Sequence, residues 1–171
     1  FNLTDTCNSR CIMCNFWKNK KRHDEITPQE IKKILQQNVM KDLKTIALTG
    51  GEIFMRPDIP EIIDAIYDTT GVKPHFGTNG LFPSKLDKLM ETHRHKIGGV
   101  MVSVDGLGEV HDLIRGKGTF DITMKAIRMV KEKYGFTPTI NMTLSKQNYK
   151  TLLETHAYFK DYIFTYKIAK K

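Results

Sequence analysis

The chain has 171 residues, 40% of them hydrophobic, which is enough apolar content to bury one substantial core and excludes a wholly disordered chain. Lys and Arg number 27 against 19 Asp and Glu, a formal net charge of +8, and no apolar run of about 18 residues occurs, which excludes a helical membrane span. The densest basic run, "KNKKR" at residues 18–22, has no interleaved aromatic residues, which argues against nucleic-acid binding.

Residues 1–4 read as the end of a first strand. The stretch "TDTCNSRCIMCNFW" (residues 4–17) follows and holds the chain's three cysteines, Cys7, Cys11 and Cys14. A disulfide framework needs an even number, and a closed zinc site needs four ligands, which one of the six histidines, such as His23 or His75, would have to complete. A [4Fe–4S] cluster held by three thiolates would keep one iron open for a ligand from elsewhere. A non-catalytic zinc or electron-transfer module is therefore the alternative to an enzyme.

"TPQE" then opens a helix, with Thr27 as cap, Pro28 in the first turn and Glu30 completing a capping box; Ile31, Ile34 and Leu35 keep helical spacing. A second helix begins at Asp58, carries Ile59, Ile62, Ile63, Ile66 and Tyr67 on one face, and stops at Gly71. A third spans roughly residues 84–96 with Leu86, Leu89 and Met90 inward, a fourth spans residues 121–134 before Gly135, and a less regular fifth follows Asn148. Between and after them, "KTIALTGGE", "KPHFGTNG", "GGVMVSVDG", "TPTINMTLS" and "YIFTYKIA" read as strands.

Strands alternating with helices imply right-handed βαβ units and a parallel α/β sheet with helices outside. Six strands and five helices are too few for a closed eight-stranded barrel, so the expected fold is a partial (β/α)6 TIM-like barrel, with a flavodoxin-like doubly wound sheet as the competitor. In either, ligands bind at the carboxyl ends of the strands. The cysteine loop, "TGGE" (residues 49–52), "GTNG" (residues 77–80) and "SVDG" (residues 103–106) all fall there.

Cysteines spaced C-x3-C-x2-C after a first strand, followed by "GGE" after the second, resemble the radical S-adenosylmethionine (radical SAM) enzymes over nearly the whole chain. The resemblance implies that Cys7, Cys11 and Cys14 each bind one iron of a [4Fe–4S] cluster whose fourth iron is chelated by S-adenosylmethionine. It implies further that Gly50, Gly51 and Glu52 hold the methionine amino group, that Thr78 and Asn79 lie near the cofactor, and that Ser103 and Asp105 approach its ribose or carboxylate. "HDLIRG" is similar to a stretch in the peptide-modifying, SPASM- or Twitch-like members, in which an arginine matching Arg115 binds the cofactor carboxylate. Where the family often has an aromatic residue against adenine, this chain has Met13, apolar and adaptable enough to cover the base; Phe16 and Trp17 are expected nearby.

The implied activity is reductive cleavage of S-adenosylmethionine by an external electron donor, giving a 5′-deoxyadenosyl radical that abstracts hydrogen from a peptide or, second, a small molecule. The chain begins without methionine and shows no leader pattern, so residues 1–171 are expected to form the core domain of a longer, cytoplasmic protein.

Overall fold

The computed structural model describes residues 1–18 and 25–169. The expectations placed on His23 and on most of the basic run lie outside the described residues.

Five strands form one parallel sheet: β1 (Ala47–Leu48), β2 (His75–Thr78), β3 (Gly99–Ser103), β4 (Thr139–Leu144) and β5 (Ile163–Ile168). Their order is β1-β2-β3-β4-β5, each strand added beside the one before. A doubly wound sheet reverses its order at a switch point, so the flavodoxin-like alternative does not hold. Successive right-handed crossovers instead keep the helices on one face, the winding of a partial barrel.

The opening segment takes the outer place beside β1 as a single parallel bridge, Asn2 to Thr49, not as a regular strand. Its backbone bonds nevertheless run on: Leu3 N–H to Thr49 O at 2.8 Å, Thr49 N–H to Phe1 O at 2.9 Å and Gly51 N–H to Thr4 O at 2.7 Å.

Among the described residues six α-helices cover the sheet: α1 (Pro28–Leu35), α2 (Ile59–Thr70), α3 (Pro83–His93), α4 (Glu109–Arg115), α5 (Thr119–Tyr134) and α6 (Leu152–Tyr158). The Thr27–Glu30 capping box forms as its spacing predicts. In α2, Ile59, Ile62, Ile63 and Ile66 are all buried, each worth about 1.5–3 kcal/mol over leaving it exposed. Gly71 ends that helix at φ +69°, its N–H on Tyr67 O. Asp58 does not cap the helix start with its side chain; Arg56 grips the carboxylate through Nε at 2.9 Å and Nη2 at 2.6 Å.

α4 is the helix that periodicity does not reveal, because seven residues with one exposed leucine make no apolar stripe. Within the sheet, strand alternation sends Val100, Val102, Ile140 and Met142 into the core, which leaves Met101, Ser103, Asn141 and Thr143 on the other face. Among the described residues no helix is long and apolar enough to cross a membrane.

Candidate active site

The cysteine loop reaches the sheet rim because two glycines admit it. Gly51 and Glu52 donate N–H groups to Thr4 O and Thr6 O at 2.7 and 2.9 Å. A Cβ on Gly51 would lie 2.2 Å from Thr6 O, and one on Gly50 2.5 Å from Thr4 O, so no larger residue fits between the two chains. On the far side, the loop is tied to the end of α4: Ile12 N–H donates to Ile114 O at 3.0 Å, and Ser9 Oγ to Arg115 O at 3.2 Å. The loop is thus clamped between β1 and α4.

A cleft of about 600 Å³ opens at the carboxyl ends of the strands. It is lined by Cys7, Cys11, Cys14 and Met13 from the cysteine loop, by Gly50 and Gly51 after β1, by Thr78 and Asn79, and by Ser103 and Arg115. Phe16 also lines it, whereas Trp17 does not. Four further polar or polarizable lining residues, Met101, Asn141, Thr143 and Lys167, were not singled out by sequence reasoning. The signal for Met101, Asn141 and Thr143 is the period-two alternation of β3 and β4, in which residues flanking the buried Val100, Val102, Ile140 and Met142 point to the ligand side; Lys167, on β5, has no such local signal.

Glu52 and Asp105 do not line the cleft; both lie buried behind residues that do. Glu52 Oε1 accepts the Thr78 hydroxyl at 2.8 Å and Phe54 N–H at 3.3 Å, while Oε2 accepts Asn79 N–H at 2.7 Å. Burial pushes this carboxyl above its ordinary range, against the opposing hydrogen bonds from Asn79, Thr78 and Phe54. Asp105 Oδ1 accepts Thr143 N–H at 2.7 Å, and Oδ2 accepts Arg115 Nε at 2.6 Å. Asn148, fully buried, holds the same turn from below through Asp105 O at 2.9 Å. The Arg115 guanidinium is thereby aimed by its Nε side, and its terminal nitrogens have no hydrogen-bond partner among the described residues.

His111, from the same motif as Arg115, accepts Asp105 N–H at Nδ1 (3.3 Å) and stacks edge-on against Phe120. The Nε2 atom is buried without a hydrogen-bond partner among the described residues. Burial, helped by the Arg115 charge, pushes its imidazole down to about 3, so it stays neutral.

The three sulfur atoms face one cleft, yet among the described residues no three His, Cys, Asp or Glu side chains converge as a single metal ion requires. His75 stands at the amino end of β2, away from the rim, and does not join the cysteines. Thiolates that each take a different iron of one cluster need no such convergence, so the donor set fits a cluster better than an ion. Burial pushes the Cys7 thiol up, with the Glu52 charge adding to it and Ser9 N–H, 3.4 Å from Sγ, opposing.

Known proteins resemble this chain in sequence and in fold. The family model described as the radical SAM superfamily matches residues 1–159. The chain is 32% identical over 173 aligned residues to mycofactocin maturase MftC of Mycolicibacterium smegmatis, covering 98% of this chain and 43% of that protein. It is 30% identical over 156 residues to Fe-coproporphyrin III synthase of Methanosarcina barkeri, covering 89% and 38%. The fold superposes on anSMEcpe, solved with bound AdoMet and Cp18Cys peptide, at a TM-score of 0.76 and 23% identity, over 98% of this chain and 49% of that one. The chain thus spans less than half the length of these relatives. With a partial barrel, three cysteines on one loop and a glycine pair that seats them, this chain belongs to the radical SAM superfamily, enzymes whose cofactors are a [4Fe–4S] cluster and S-adenosylmethionine.

Proposed function

We propose that this chain binds a [4Fe–4S] cluster through Cys7, Cys11 and Cys14, and that S-adenosylmethionine lies in the adjoining cleft. The observation that carries this reading is the meeting of all three thiols, the Gly50–Gly51 pair and the Arg115 guanidinium in one cleft. When bound and reduced by an external donor, the cluster supplies an electron that splits the cofactor into methionine and a 5′-deoxyadenosyl radical, which takes hydrogen from the substrate.

The chain's own residues bind and orient. Arg115 offers terminal N–H groups to the cofactor carboxylate, in the geometry that suits carboxylates. Gly50, Gly51, Thr78 and Asn79 present small or polar groups to the methionine end, and Glu52 backs them with negative charge toward the ammonium. Ser103 faces the ribose, Met13 covers adenine, and Asp105 acts through Arg115 without touching the cofactor.

The substrate proposed is a peptide. An apolar groove of about 570 Å³, lined by Ile12, Leu144 and Tyr149, joins the cleft through the shared Met13, Ile168 and Ala169. A groove of this size would also take a small molecule, so the peptide reading is supported instead by the structural neighbour anSMEcpe, solved with a bound peptide. Three unpaired thiols fit a cytoplasmic location, where they stay reduced.

Anaerobic reconstitution with iron and sulfide, then reduction with dithionite in the presence of S-adenosylmethionine, tests the reading. The expected result is near four irons per chain and release of 5′-deoxyadenosine, both lost in Cys14→Ala. Stable zinc with no iron uptake, or a loaded protein that releases no 5′-deoxyadenosine, would overturn it.

A further inference from the structure

Ser9 stands inside the C-x3-C loop, 4% exposed, and addresses two of the three sulfur atoms. Its N–H lies 3.4 Å from Cys7 Sγ, and its Oγ lies 3.1 Å from Cys11 Sγ and 3.2 Å from Arg115 O. No other side chain donates as closely to the sulfurs among the described residues: Asn79 Nδ2 is 3.9 Å from Cys7 Sγ and commits to Asn8 Oδ1 at 2.8 Å.

We infer that Ser9 sets the reduction potential of the cluster by donating its hydroxyl proton to Cys11 Sγ, an inference that rests on reading the three cysteines as cluster ligands. The hydroxyl has one proton and two candidate acceptors. Without a cluster, the Cys11 S–H can donate to Ser9 Oγ while Ser9 donates to Arg115 O. A sulfur bound to iron has no proton and can only accept, so the two acceptors compete for the Ser9 proton. The sulfur carries negative charge and the carbonyl does not, and a charged acceptor draws the stronger hydrogen bond. The loop stays docked when the hydroxyl turns, because the bond from Ile12 N–H to Ile114 O is independent of it.

The consequence follows from charge. Reduction adds one electron from an external low-potential donor, taking [4Fe–4S]2+ to [4Fe–4S]+, with no bond made or broken at Ser9 and its proton shared but not transferred. The reduced cluster is one unit more negative, so a donor at its sulfur stabilises it more than the oxidised form and raises the potential.

The experiment compares the reconstituted parent with Ser9→Ala and Ser9→Thr by iron and sulfide content and by a dithionite titration followed by electron paramagnetic resonance. Ser9→Ala keeps the backbone N–H to Cys7 and removes the hydroxyl alone. It is expected to hold the parent's iron and to titrate at lower potential, so that at the parent's midpoint the ratio of reduced to oxidised cluster falls by up to about fivefold, the limit set by one hydrogen bond of ordinary net strength made in the reduced state alone. Ser9→Thr restores the hydroxyl and should return the ratio toward the parent's. If Ser9→Ala takes up less iron, Ser9→Gly, which also lacks the hydroxyl, repeats the measurement. A fully loaded Ser9→Ala or Ser9→Gly with the parent's potential overturns the inference and leaves the cluster reading intact. Failure of the parent to take up iron overturns both.

Discussion

The Glu52 carboxylate and the Asn79 main-chain N–H, 27 residues apart, meet at 2.7 Å and join the ends of β1 and β2 beneath the cleft. Two consequences can be separated by substitution. Glu52→Gln keeps an acceptor for Asn79 and gives up a charge that burial penalises, but it turns an amide NH2 toward Thr78 and the Phe54 N–H; these effects oppose, so it should cost less than Glu52→Ala. Glu52→Ala strips acceptors from Asn79, Thr78 and Phe54 together and should cost more than about 2 kcal/mol. Denaturant unfolding reads both. With the cluster reconstituted, Glu52→Gln should also bind S-adenosylmethionine more weakly at unchanged iron content, through loss of the negative charge behind Thr78 and Asn79. Parent-like affinity would make Glu52 an anchor alone.

A methyl group at Gly51 should act through the cysteine loop. Its Cβ would collide with Thr6 O at 2.2 Å, and the obstacle is backbone, which cannot swing aside. Gly51→Ala is expected to lose iron uptake and several kcal/mol of stability, by order of magnitude. Gly71→Ala is the control. Nothing lies within 4 Å of its Cβ, but φ is +69°, so about 1 kcal/mol of strain and full iron uptake are expected. Equal iron content in the two variants would refute the close-approach role of Gly51.

Sequence and structure part company where contacts are distant in the chain. The isoleucines of α2 and the Thr27 capping box were legible because their partners lie within four residues. The cysteine spacing was legible for the same reason. For Glu52 the local sequence suggests an acceptor for an amine, but nothing local reveals that Thr78 and Asn79 also bond its carboxylate. Only the tertiary structure likewise reveals that Arg115 Nε donates to Asp105. That the glycine pair also packs against the chain's own cysteine loop is visible only in three dimensions. Lys167 reaches the cleft only through the register that sets it beside Thr143.

Acid should weaken the fold through His111. Its folded value is about 3 against an ordinary 6.5, so the unfolded chain binds a proton that the folded chain refuses. The contribution is complete above about pH 6.5 and is lost progressively as pH falls toward 3. At pH 5 the loss amounts to about 2 kcal/mol. The checking measurement is denaturant unfolding at pH 7 and pH 5 for the parent and for His111→Gln, which does not titrate. The variant is expected to be less stable at pH 7 and to show a smaller drop between the two. An identical drop would mean that other groups carry the acid sensitivity.

Arg115 and Asp105 should behave as one unit with two functions. Both are buried, and their 2.6 Å contact leaves an uncompensated charge if either partner is removed. Arg115→Met should therefore cost about 3–5 kcal/mol, most of it the exposed debt of Asp105, while Asp105→Asn with Arg115→Met should cost clearly less than the two single changes added together. Unfolding experiments on the four proteins of this cycle measure the coupling; strict additivity would show that the pair is not a unit. The second function is read separately. Arg115→Lys keeps the positive charge but lacks the planar fork, one side of which Asp105 holds while the other faces the cleft. Iron content should match the parent's, because no cysteine is touched, and affinity for S-adenosylmethionine should fall by roughly tenfold or more, the loss of about 1.4 kcal/mol. If Arg115→Lys binds the cofactor as the parent does, the guanidinium does not hold the carboxylate, and its place beside Asp105 is structural.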